Sequence, residues 1–233
     1  MFSGPSGASR VSLSRARKAV VCMKPMNRSL PDSSPLPSSR LPPVFFRQVE
    51  TESLARKLLG VRLVTVVRGV RTSGEIVEVE AYLGRNDPAC HASRGKTGRN
   101  AMMFEAAGHC YVYLIYGIYH CVNVVSDPEG VGSGVLIRAV TPMEGIETMR
   151  RRRGRADMSD VARGPGRLCQ SFGITASFCG EHFATSQRIW LEPFTTYSRE
   201  QIAISGRIGI SAGQELPLRF FVKHSPWVSG TRR

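Results

Sequence analysis

Residues 111–125 read YVYLIYGIYHCVNVV, two runs of β-branched and aromatic residues that meet at Gly117. Such runs, joined at a glycine, predict the two strands of a β-hairpin. The stretch also holds four of the six tyrosines in the chain: Tyr111, Tyr113, Tyr116 and Tyr119. A buried tyrosine hydroxyl needs a hydrogen-bonding partner, so this density is unusual for a core. The hairpin therefore predicts a surface that stacks on flat groups.

The segments around the hairpin predict both strands and helices. Runs typical of strands occupy residues 61–67, 75–83, 134–140 and 217–222. Runs typical of helices occupy residues 51–60 and the stretch that follows Gly164, Pro165 and Gly166. Residues 68–74, RGVRTSG, predict the turn between the first two strands. Because strands and helices do not alternate strictly, we expect one α+β domain around a largely antiparallel sheet.

A third helix is predicted from residue 141 onward. Thr141 and Glu144 have the spacing of a capping box, which satisfies the backbone amides at the start of a helix. Pro142 then occupies the first helical position, where its missing N–H is harmless. The four arginines at residues 150–153 suit the negative end of the helix dipole.

Composition limits the classes of partner. The chain has 233 residues, of which 42% are hydrophobic, enough for one sizeable core or two smaller ones. Its 32 lysines and arginines against 18 acidic residues give a net charge of +14. That charge predicts attraction to polyanions, nucleic acid first and acidic membranes second. The sequence lacks an apolar run of about 18 residues, so a membrane-spanning helix is not expected.

Composition changes near residue 43. Residues 1–43 are rich in Ser, Pro and Arg and carry seven basic residues against one acid, Asp32. They show no lasting hydrophobic period, so a disordered, solvated tail is the first expectation. A transit peptide and a basic arm that contacts phosphates both stay open. Residues 44–233 are expected to form the folded domain. The tail carries a net charge of +6 of the total +14, so the domain keeps a net charge of +8.

The strand predicted at residues 75–83, EIVEVEAYL, carries two carboxylates and a ring on one face. Its alternation separates Glu78, Glu80 and Tyr82 from the apolar side chains between them. A solvated strand face and a binding site both explain this pattern. On this stretch alone, the solvated face is favoured.

The loop HASRGKTGRN, residues 91–100, is basic. It carries His91, Arg94, Lys96 and Arg99 on a segment that contains glycine. Its GKT is similar to part of a phosphate-binding P-loop, but Cys90 stands where that motif requires glycine. A basic loop beside a carboxylate and aromatic rings instead predicts contact with nucleic acid.

Three neighbouring Cys–His pairs, at residues 90–91, 109–110 and 120–121, raise the question of a metal site. Adjacent residues on a strand point to opposite faces and rarely bind one ion, so no metal is expected. A zinc nucleobase deaminase requires H-x-E and P-C-x-x-C, and the sequence has neither motif.

Several long motifs, in order and with similar spacing, resemble those of one family. They are EVEAYLGRNDPACHASRG, NAMMF, YVYLIYGIYHCVNVV, GVLIRAVTPMEGIETMR, GPGRLCQ and SPWVS. From about residue 44 to its end, the chain resembles the 3-methyladenine DNA glycosylases of the alkyladenine type. The resemblance implies one mixed domain with a curved antiparallel sheet, a projecting β-hairpin and flanking helices.

The resemblance implies a monofunctional hydrolase of base excision repair that flips damaged purines out of duplex DNA into a pocket. Glu80 matches the general base that deprotonates the attacking water, and Arg138 matches the residue that holds this water and orients Glu80. The implied substrates are 3-methyladenine, 7-methylguanine, hypoxanthine and etheno-adenine. No cofactor or metal is implied, and we expect a monomer that works inside the cell with DNA.

The resemblance also implies the pocket. Tyr82 and Tyr113 match its aromatic walls, with His91 opposite Tyr82. Ala89 and His91 match the groups that read the base edge, and Asn123 matches the residue that restricts undamaged guanine.

Tyr116, beside Gly117, matches the tyrosine that wedges into the gap left by the flipped base. Tyr111 and Tyr119 match no role, and we expect them to pack in the core or the hairpin. The basic residues expected on the DNA backbone are Arg94, Lys96 and Arg99.

A non-catalytic nucleic-acid-binding module with the same aromatic platform is the alternative from another class. Glu80 beside Tyr82 argues against it, since stacking needs no carboxylate. The compartment stays open between a bacterial cytoplasm and a nucleus, with an organelle-targeting tail as a further alternative.

Overall fold

The computed structural model describes residues 40–47, 49–155 and 157–230, and its centre is one open antiparallel sheet of eight strands. The strands are β1 (Arg62–Val67), β2 (Val70–Tyr82), β3 (Cys110–Ile115), β4 (Tyr119–Ser126), β5 (Ser133–Glu144), β6 (Ile189–Glu192), β7 (Ile202–Ser205) and β8 (Arg219–Val222). Their order is β3–β4–β5–β2–β1–β6, while β8 pairs with both β2 and β7. The predicted hairpin about Gly117 is the β3–β4 pair.

Helices pack on the sheet and complete the core. The α-helices of the described residues are α1 (Thr51–Leu58), α2 (Ile146–Arg152) and α3 (Pro165–Phe172). α1 packs against β2 and β5, and α3 packs against β4 and β5 with α2 beside it. Buried side chains such as Leu54, Val79 and Phe172 belong to one apolar cluster. The predicted α+β class is thereby confirmed.

Strand β2 is paired along both of its edges. One edge follows β5, while the other follows β1 over the first half of β2 and β8 near its end. Val77, Val79 and Ala81 lie in the core, as their alternation predicted. Glu78 and Glu80, on the other face, are fully buried as well. The interpretation of this face as solvated is therefore wrong.

The turn between β1 and β2 is shorter than predicted. Residues 68–74 were expected to form it, but only Arg68 and Gly69 lie between the two strands. Both have positive φ, 52° and 75°, which is the left-handed backbone of a two-residue type I′ turn. The remaining residues pair with β1, because the tight turn sets the register at Val67 opposite Val70.

The helix predicted from Thr141 begins later. Strand β5 continues to Glu144, and α2 starts only at Ile146. The Glu144 carboxylate accepts hydrogen bonds from Arg71 Nε and Ser73 Oγ of β2, each 2.8 Å long. Pairing with the long central strand thus outweighs the local capping-box pattern.

Arg40 and Leu41, which precede the expected domain boundary at residue 44, pack against β6. The side chain of Leu41 is buried, and its amide donates to a backbone carbonyl of β6 at 2.9 Å. The guanidinium of Arg40 lies 4.1 Å from the ring centroid of Trp190. The edge strand β6 therefore contacts the chain before residue 44. The solvated tail was expected over residues 1–43, and residues 1–39 of it lie outside the described residues.

Two truncations separate the tail from the domain. We expect removal of residues 1–39 to leave Tm within about 2 °C of the full chain, as surface changes generally do. Removal of residues 1–43 should lower Tm by several degrees, because it deletes Leu41, whose burial contributes about 1.5–3 kcal/mol. Scanning calorimetry measures both, and equal Tm values for the two truncations would contradict the revised boundary.

Candidate active site

A cavity of about 430 Å³ opens between β2, the β3–β4 hairpin, β5 and the loop at residues 208–212. Eight of the residues singled out from the sequence line it: Tyr82, Ala89, His91, Arg99, Tyr113, Tyr116, Asn123 and Arg138. Strand alternation explains the grouping, because residues i and i+2 share a face. The pairs that β3, β4 and β5 supply in this way are Tyr111 and Tyr113, Cys121 and Asn123, and Leu136 and Arg138.

Glu80 lies behind this lining, fully buried in β2. Its Oε2 accepts a hydrogen bond from the Tyr82 hydroxyl at 2.9 Å and lies 3.1 Å from Arg138 Nη1. Its Oε1 accepts a hydrogen bond from the backbone N–H of Ile208 at 2.7 Å. These three donors replace the water that a buried carboxylate loses.

Arg138 joins Glu80 to a second buried carboxylate, Glu78. Its Nε donates to Glu78 Oε1 at 3.0 Å while its Nη1 faces Glu80. Burial lowers the pKa of this guanidinium, but the charges of Glu80 and Glu78 outweigh burial, and the pKa is raised. Arg138 is therefore a permanent cation in the wall of the cavity.

Tyr82 forms part of the cavity wall and keeps its proton. Burial, and then the neighbouring Glu80 charge, raise the pKa of this phenol far above its usual range. The hydroxyl therefore acts as a donor to Glu80. The guanidinium carbon of Arg207 lies 4.7 Å from the centroid of the Tyr82 ring, a cation–π contact that holds the ring.

A buried ion pair between Asp87 and Arg207 joins two loops of the cavity, and the sequence analysis missed it. Arg207 Nη2 donates to Asp87 Oδ1 at 2.7 Å, and Nη1 donates to Asp87 Oδ2 and, at 3.0 Å, to the carbonyl of Ala81. Asp87 Oδ1 also accepts from the amide of Ala89 at 3.1 Å. The pair thus fixes Ala89 on one side of the cavity and Ile208, which follows Arg207, on the other.

His91 is held by a tyrosine hydroxyl from β3. Its Nδ1 lies 3.0 Å from Tyr111 Oη, and its ring meets Tyr113 edge-on with centroids 4.4 Å apart. Partial desolvation, and then the charge of Arg99, lower the pKa of the imidazole. The ring is therefore neutral at physiological pH, and engagement of Nδ1 leaves Nε2 for a ligand.

Tyr111 has a contact that the sequence analysis did not assign. It is buried, in agreement with the expected packing, but its hydroxyl also orients His91. The signal was its spacing of two residues from Tyr113, which places both rings on one strand face.

The loop at residues 91–100 is organised by Asn100, which the sequence analysis passed over. The Nδ2 of Asn100 donates to the carbonyls of His91 and Gly95 at 2.7 and 3.0 Å. Its Oδ1 accepts from the amide of Thr97 at 2.6 Å. The side chain is buried, so the segment that carries His91 is tied from its far end.

Asn123 and Cys121 give the β4 side of the cavity a neutral polar surface. Asn123 is buried, and its Nδ2 donates to the carbonyl of Tyr111 at 3.1 Å, which fixes the amide plane. Burial raises the pKa of the Cys121 thiol to about 11, so this cysteine stays protonated at neutral pH.

The tip of the β3–β4 hairpin projects apolar side chains into solvent. Tyr116 is 79% exposed and Ile118 is 68% exposed, and Tyr116 also borders the cavity. Tyr116 and Gly117 have φ values of 53° and 75°, the left-handed pair of a type I′ turn. A large exposed ring on a non-glycine residue with positive φ is uncommon.

The three basic residues predicted on the DNA backbone lie on the exposed surface of the 91–100 loop. Arg99 borders the cavity, and its Nη2 donates to the carbonyl of Leu114 at 3.2 Å. Lys96 Nζ lies 5.8 Å from the centroid of the Phe104 ring, and Arg94 is exposed. Together they form a positive rim beside the cavity.

Across the described ranges, no three His, Cys, Asp or Glu side chains come together as a metal-binding group. The cysteines that are free in this part of the chain are all buried: Cys90, Cys110, Cys121 and Cys169. The described residues also contain no helix with the length and apolarity needed to cross a lipid bilayer.

Known proteins are similar in sequence to this chain over most of its length. The model of the methylpurine-DNA glycosylase family matches residues 44–226. A Chlorobaculum parvum protein, provisionally named 3-methyladenine DNA glycosylase, is 46% identical over 188 residues, which is 80% of this chain and 90% of that protein. The DNA-3-methyladenine glycosylase of Mus musculus is 44% identical over 221 residues, 88% of this chain and 66% of the mouse protein.

The matched sequence includes the strands that form the cavity, and it defines a class of enzyme: a DNA glycosylase, which hydrolyses N-glycosyl bonds in DNA. The chain belongs to the methylpurine-DNA glycosylase family. The resemblance found in the sequence is thereby confirmed, and the non-catalytic nucleic-acid module is set aside.

The Asp87–Arg207 pair gives a prediction about stability. Asp87→Asn should lower the free energy of unfolding by about 3–5 kcal/mol, because it leaves the buried Arg207 charge uncompensated. Glu147→Gln is the matched control, since its pair with Arg150 is exposed and should change stability by less than about 1 kcal/mol. Urea denaturation measures both free energies of unfolding. Equal losses in the two variants would show that the buried pair contributes no more to stability than the exposed pair.

Proposed function

We propose that the enzyme removes alkylated or deaminated purines from duplex DNA by flipping the nucleotide into the 430 Å³ cavity and hydrolysing its glycosidic bond. The observation that carries this proposal is the buried Glu80 carboxylate, held by Tyr82 and Arg138 directly behind an aromatic-walled cavity. In the proposed reaction Glu80 is the general base, and the product is an abasic site with the DNA strand intact.

The contacts of Glu80 leave one acceptor position for the nucleophilic water. Oε2 accepts from Tyr82 and faces Arg138, whereas Oε1 accepts a single hydrogen bond, from the Ile208 amide. A carboxylate oxygen has two lone pairs, so Oε1 retains one for a water proton. As the water attacks the anomeric carbon, its proton moves to Glu80 and the bonding electrons leave with the base. The ionised carboxylate also stabilises the oxocarbenium-like transition state.

Arg138 is proposed to orient both Glu80 and the water. A planar guanidinium keeps its charge and holds a carboxylate in a fixed direction better than lysine would. The lining of the cavity includes no lysine among the described residues, so it offers no amine for a Schiff base. This supports a monofunctional enzyme without strand cleavage.

Substrate selection is proposed to come from the cavity walls. The rings of Tyr82 and Tyr113, with the neutral His91, suit a flat purine between them. Many alkylated purines carry positive charge and bind electron-rich rings by cation–π attraction. The proposed substrates are therefore 3-methyladenine, 7-methylguanine, hypoxanthine and etheno-adenine. Asn123, fixed through Tyr111, is placed to exclude the exocyclic amino group of undamaged guanine.

The surroundings of the cavity support duplex DNA as the partner. Tyr116 is proposed to fill the gap left by the flipped base, and Arg94, Lys96 and Arg99 to contact phosphates without reading sequence. We further propose that the enzyme acts as a monomer and works in the compartment that contains the cell's DNA.

The role of Glu80 predicts a separation of binding from chemistry. Glu80→Gln should bind lesion duplex within a few-fold of wild type and lose at least about 100-fold in single-turnover excision, the usual contribution of a general base. Glu75→Gln is the matched control, since Glu75 is on the same strand and its carboxylate accepts a hydrogen bond from the Tyr197 hydroxyl instead. Excision near the wild-type rate by Glu80→Gln would show that another group activates the water.

The exposed position of Tyr116 predicts a functional defect without a folding defect. Tyr116→Ala should change stability by less than about 1 kcal/mol, as surface changes do. It should weaken lesion-duplex binding by about 1–3 kcal/mol, the range of base–aromatic stacking. The excision defect should shrink when the lesion faces a mismatch or a gap, because unpairing is then easier. Tyr113→Ala, which removes a cavity wall, should show less relief; equal defects in every pairing context would exclude the wedge.

A further inference from the structure

Glu78 is a second carboxylate, two residues from Glu80, that none of the proposed steps uses. It is fully buried in the middle of β2, and the backbone pairing of β2 with β5 shifts register beside it. A buried carboxylate without a role in packing or chemistry is costly to keep, so its partners indicate its function.

Four donors converge on Glu78 from three parts of the fold. Its Oε1 accepts from Arg138 Nε at 3.0 Å, from Arg219 Nε at 2.8 Å and from Ser229 Oγ at 2.8 Å. Its Oε2 accepts from the backbone N–H of Ser229. Strand β5, strand β8 and the C-terminal segment around Ser229 are therefore tied to one carboxylate.

The same cluster holds Arg138 at each of its nitrogens. Nε donates to Glu78, Nη2 donates to Ser229 Oγ at 3.2 Å, and Nη1 faces Glu80 at 3.1 Å. A guanidinium is planar, so two fixed nitrogens determine the direction of the third. Glu78 and Ser229 thereby set the direction in which Arg138 presents Nη1.

We propose that Glu78, with Arg219 and Ser229, is a positioning group for the hydrolytic reaction. It holds the Arg138 guanidinium so that Nη1 meets Glu80 and the attacking water. This inference rests on the proposed roles of Glu80 and Arg138. It adds Glu78 as a second carboxylate that the reaction requires. Small errors of orientation at a reacting centre reduce rates by large factors, so the effect falls on chemistry more than on binding.

Charge balance gives the proposal a second, independent consequence. The charged groups of the cluster are Glu78 and Glu80 against Arg138 and Arg219. Glu80 is also faced by Tyr82 on its own strand, by Cys121 from β4 and by Arg207 from the loop after β7.

Removing Glu78 removes a negative charge beside Arg138 and leaves this guanidinium paired with Glu80 alone, which favours the charged form of Glu80 and weakens it as a base. Removing Arg219 leaves two carboxylates sharing Arg138, which has the opposite effect. The pH at which the excision rate falls to half on its acid side should therefore move down in the first variant and up in the second.

The test measures single-turnover excision of hypoxanthine from duplex DNA between about pH 5 and 8, with the full chain as wild type, Glu78→Gln, Arg219→Gln and Ser229→Ala. Glu78→Gln should lose about tenfold or more in rate at neutral pH while binding lesion duplex within about threefold of wild type. Its acid half-point should shift downward by about half a pH unit, and that of Arg219→Gln upward by a similar amount. Ser229→Ala, which keeps all four charges, should be slower without a shift.

Half-points that do not move, or that move in the same direction, overturn the proposal, as does a Glu78→Gln rate within twofold of wild type. If Glu78→Gln does not fold, the remaining two variants decide: an upward shift in Arg219→Gln with a slower, unshifted Ser229→Ala supports the inference, and wild-type behaviour in either overturns it. Glu80→Gln run beside them tests the proposed function separately. An active Glu80→Gln refutes the role of Glu80, whereas an inactive Glu80→Gln with an unaffected Glu78→Gln refutes only the positioning role.

Discussion

The pairing of β2 along both of its edges is the constraint on which the site depends. This pairing fixes the register of β2 between β5 and β8, and the segments at Ile208 and Ser229 cover the face opposite the core. Glu78 and Glu80 are buried there although their residue type favours the surface. Each carboxylate must then meet donors inside the protein, and the neighbouring strands supply Arg138 and Arg219. The buried carboxylates therefore require the arginines beside them. The proposed chemistry uses Glu80, whose negative charge the fold already compensates with Arg138.

The cavity in front of this cluster is built from local alternation, whereas its rim is built from loops. Side chains two residues apart on β3, β4 and β5 face the same space, so no special backbone is needed to assemble the aromatic walls. The loops need ties of their own, which Asn100 and the Asp87–Arg207 pair provide. The strands thus carry the residues of the proposed chemistry and the tied loops shape the entrance, an arrangement that suits a pocket for an extrahelical base.

Sequence patterns predicted what depends on near neighbours. The hairpin, the apolar face of β2 and the shared face of Glu78, Glu80 and Tyr82 follow from a period of two. The capping box at Thr141 was misread because a local pattern cannot show that β2 extends far enough to pair with it. The Asp87–Arg207 pair spans 120 residues, and no local period links two such positions. The family motifs predicted individual site residues, but they did not show that Glu80 lies behind the lining or that Tyr111 contacts His91.

The contact between Glu78 and Ser229 spans 151 residues and joins the central strand β2 to the segment that follows β8. A ribosome releases the chain from its N-terminus, so the strands that form the cavity emerge well before Ser229 does. Until then Glu78, Arg138 and Arg219 lack their contacts with Ser229. Contacts between residues this distant in sequence form slowly. Glu78 therefore acquires two of the donors that stabilise its buried charge only after the strands around the cavity have been synthesised.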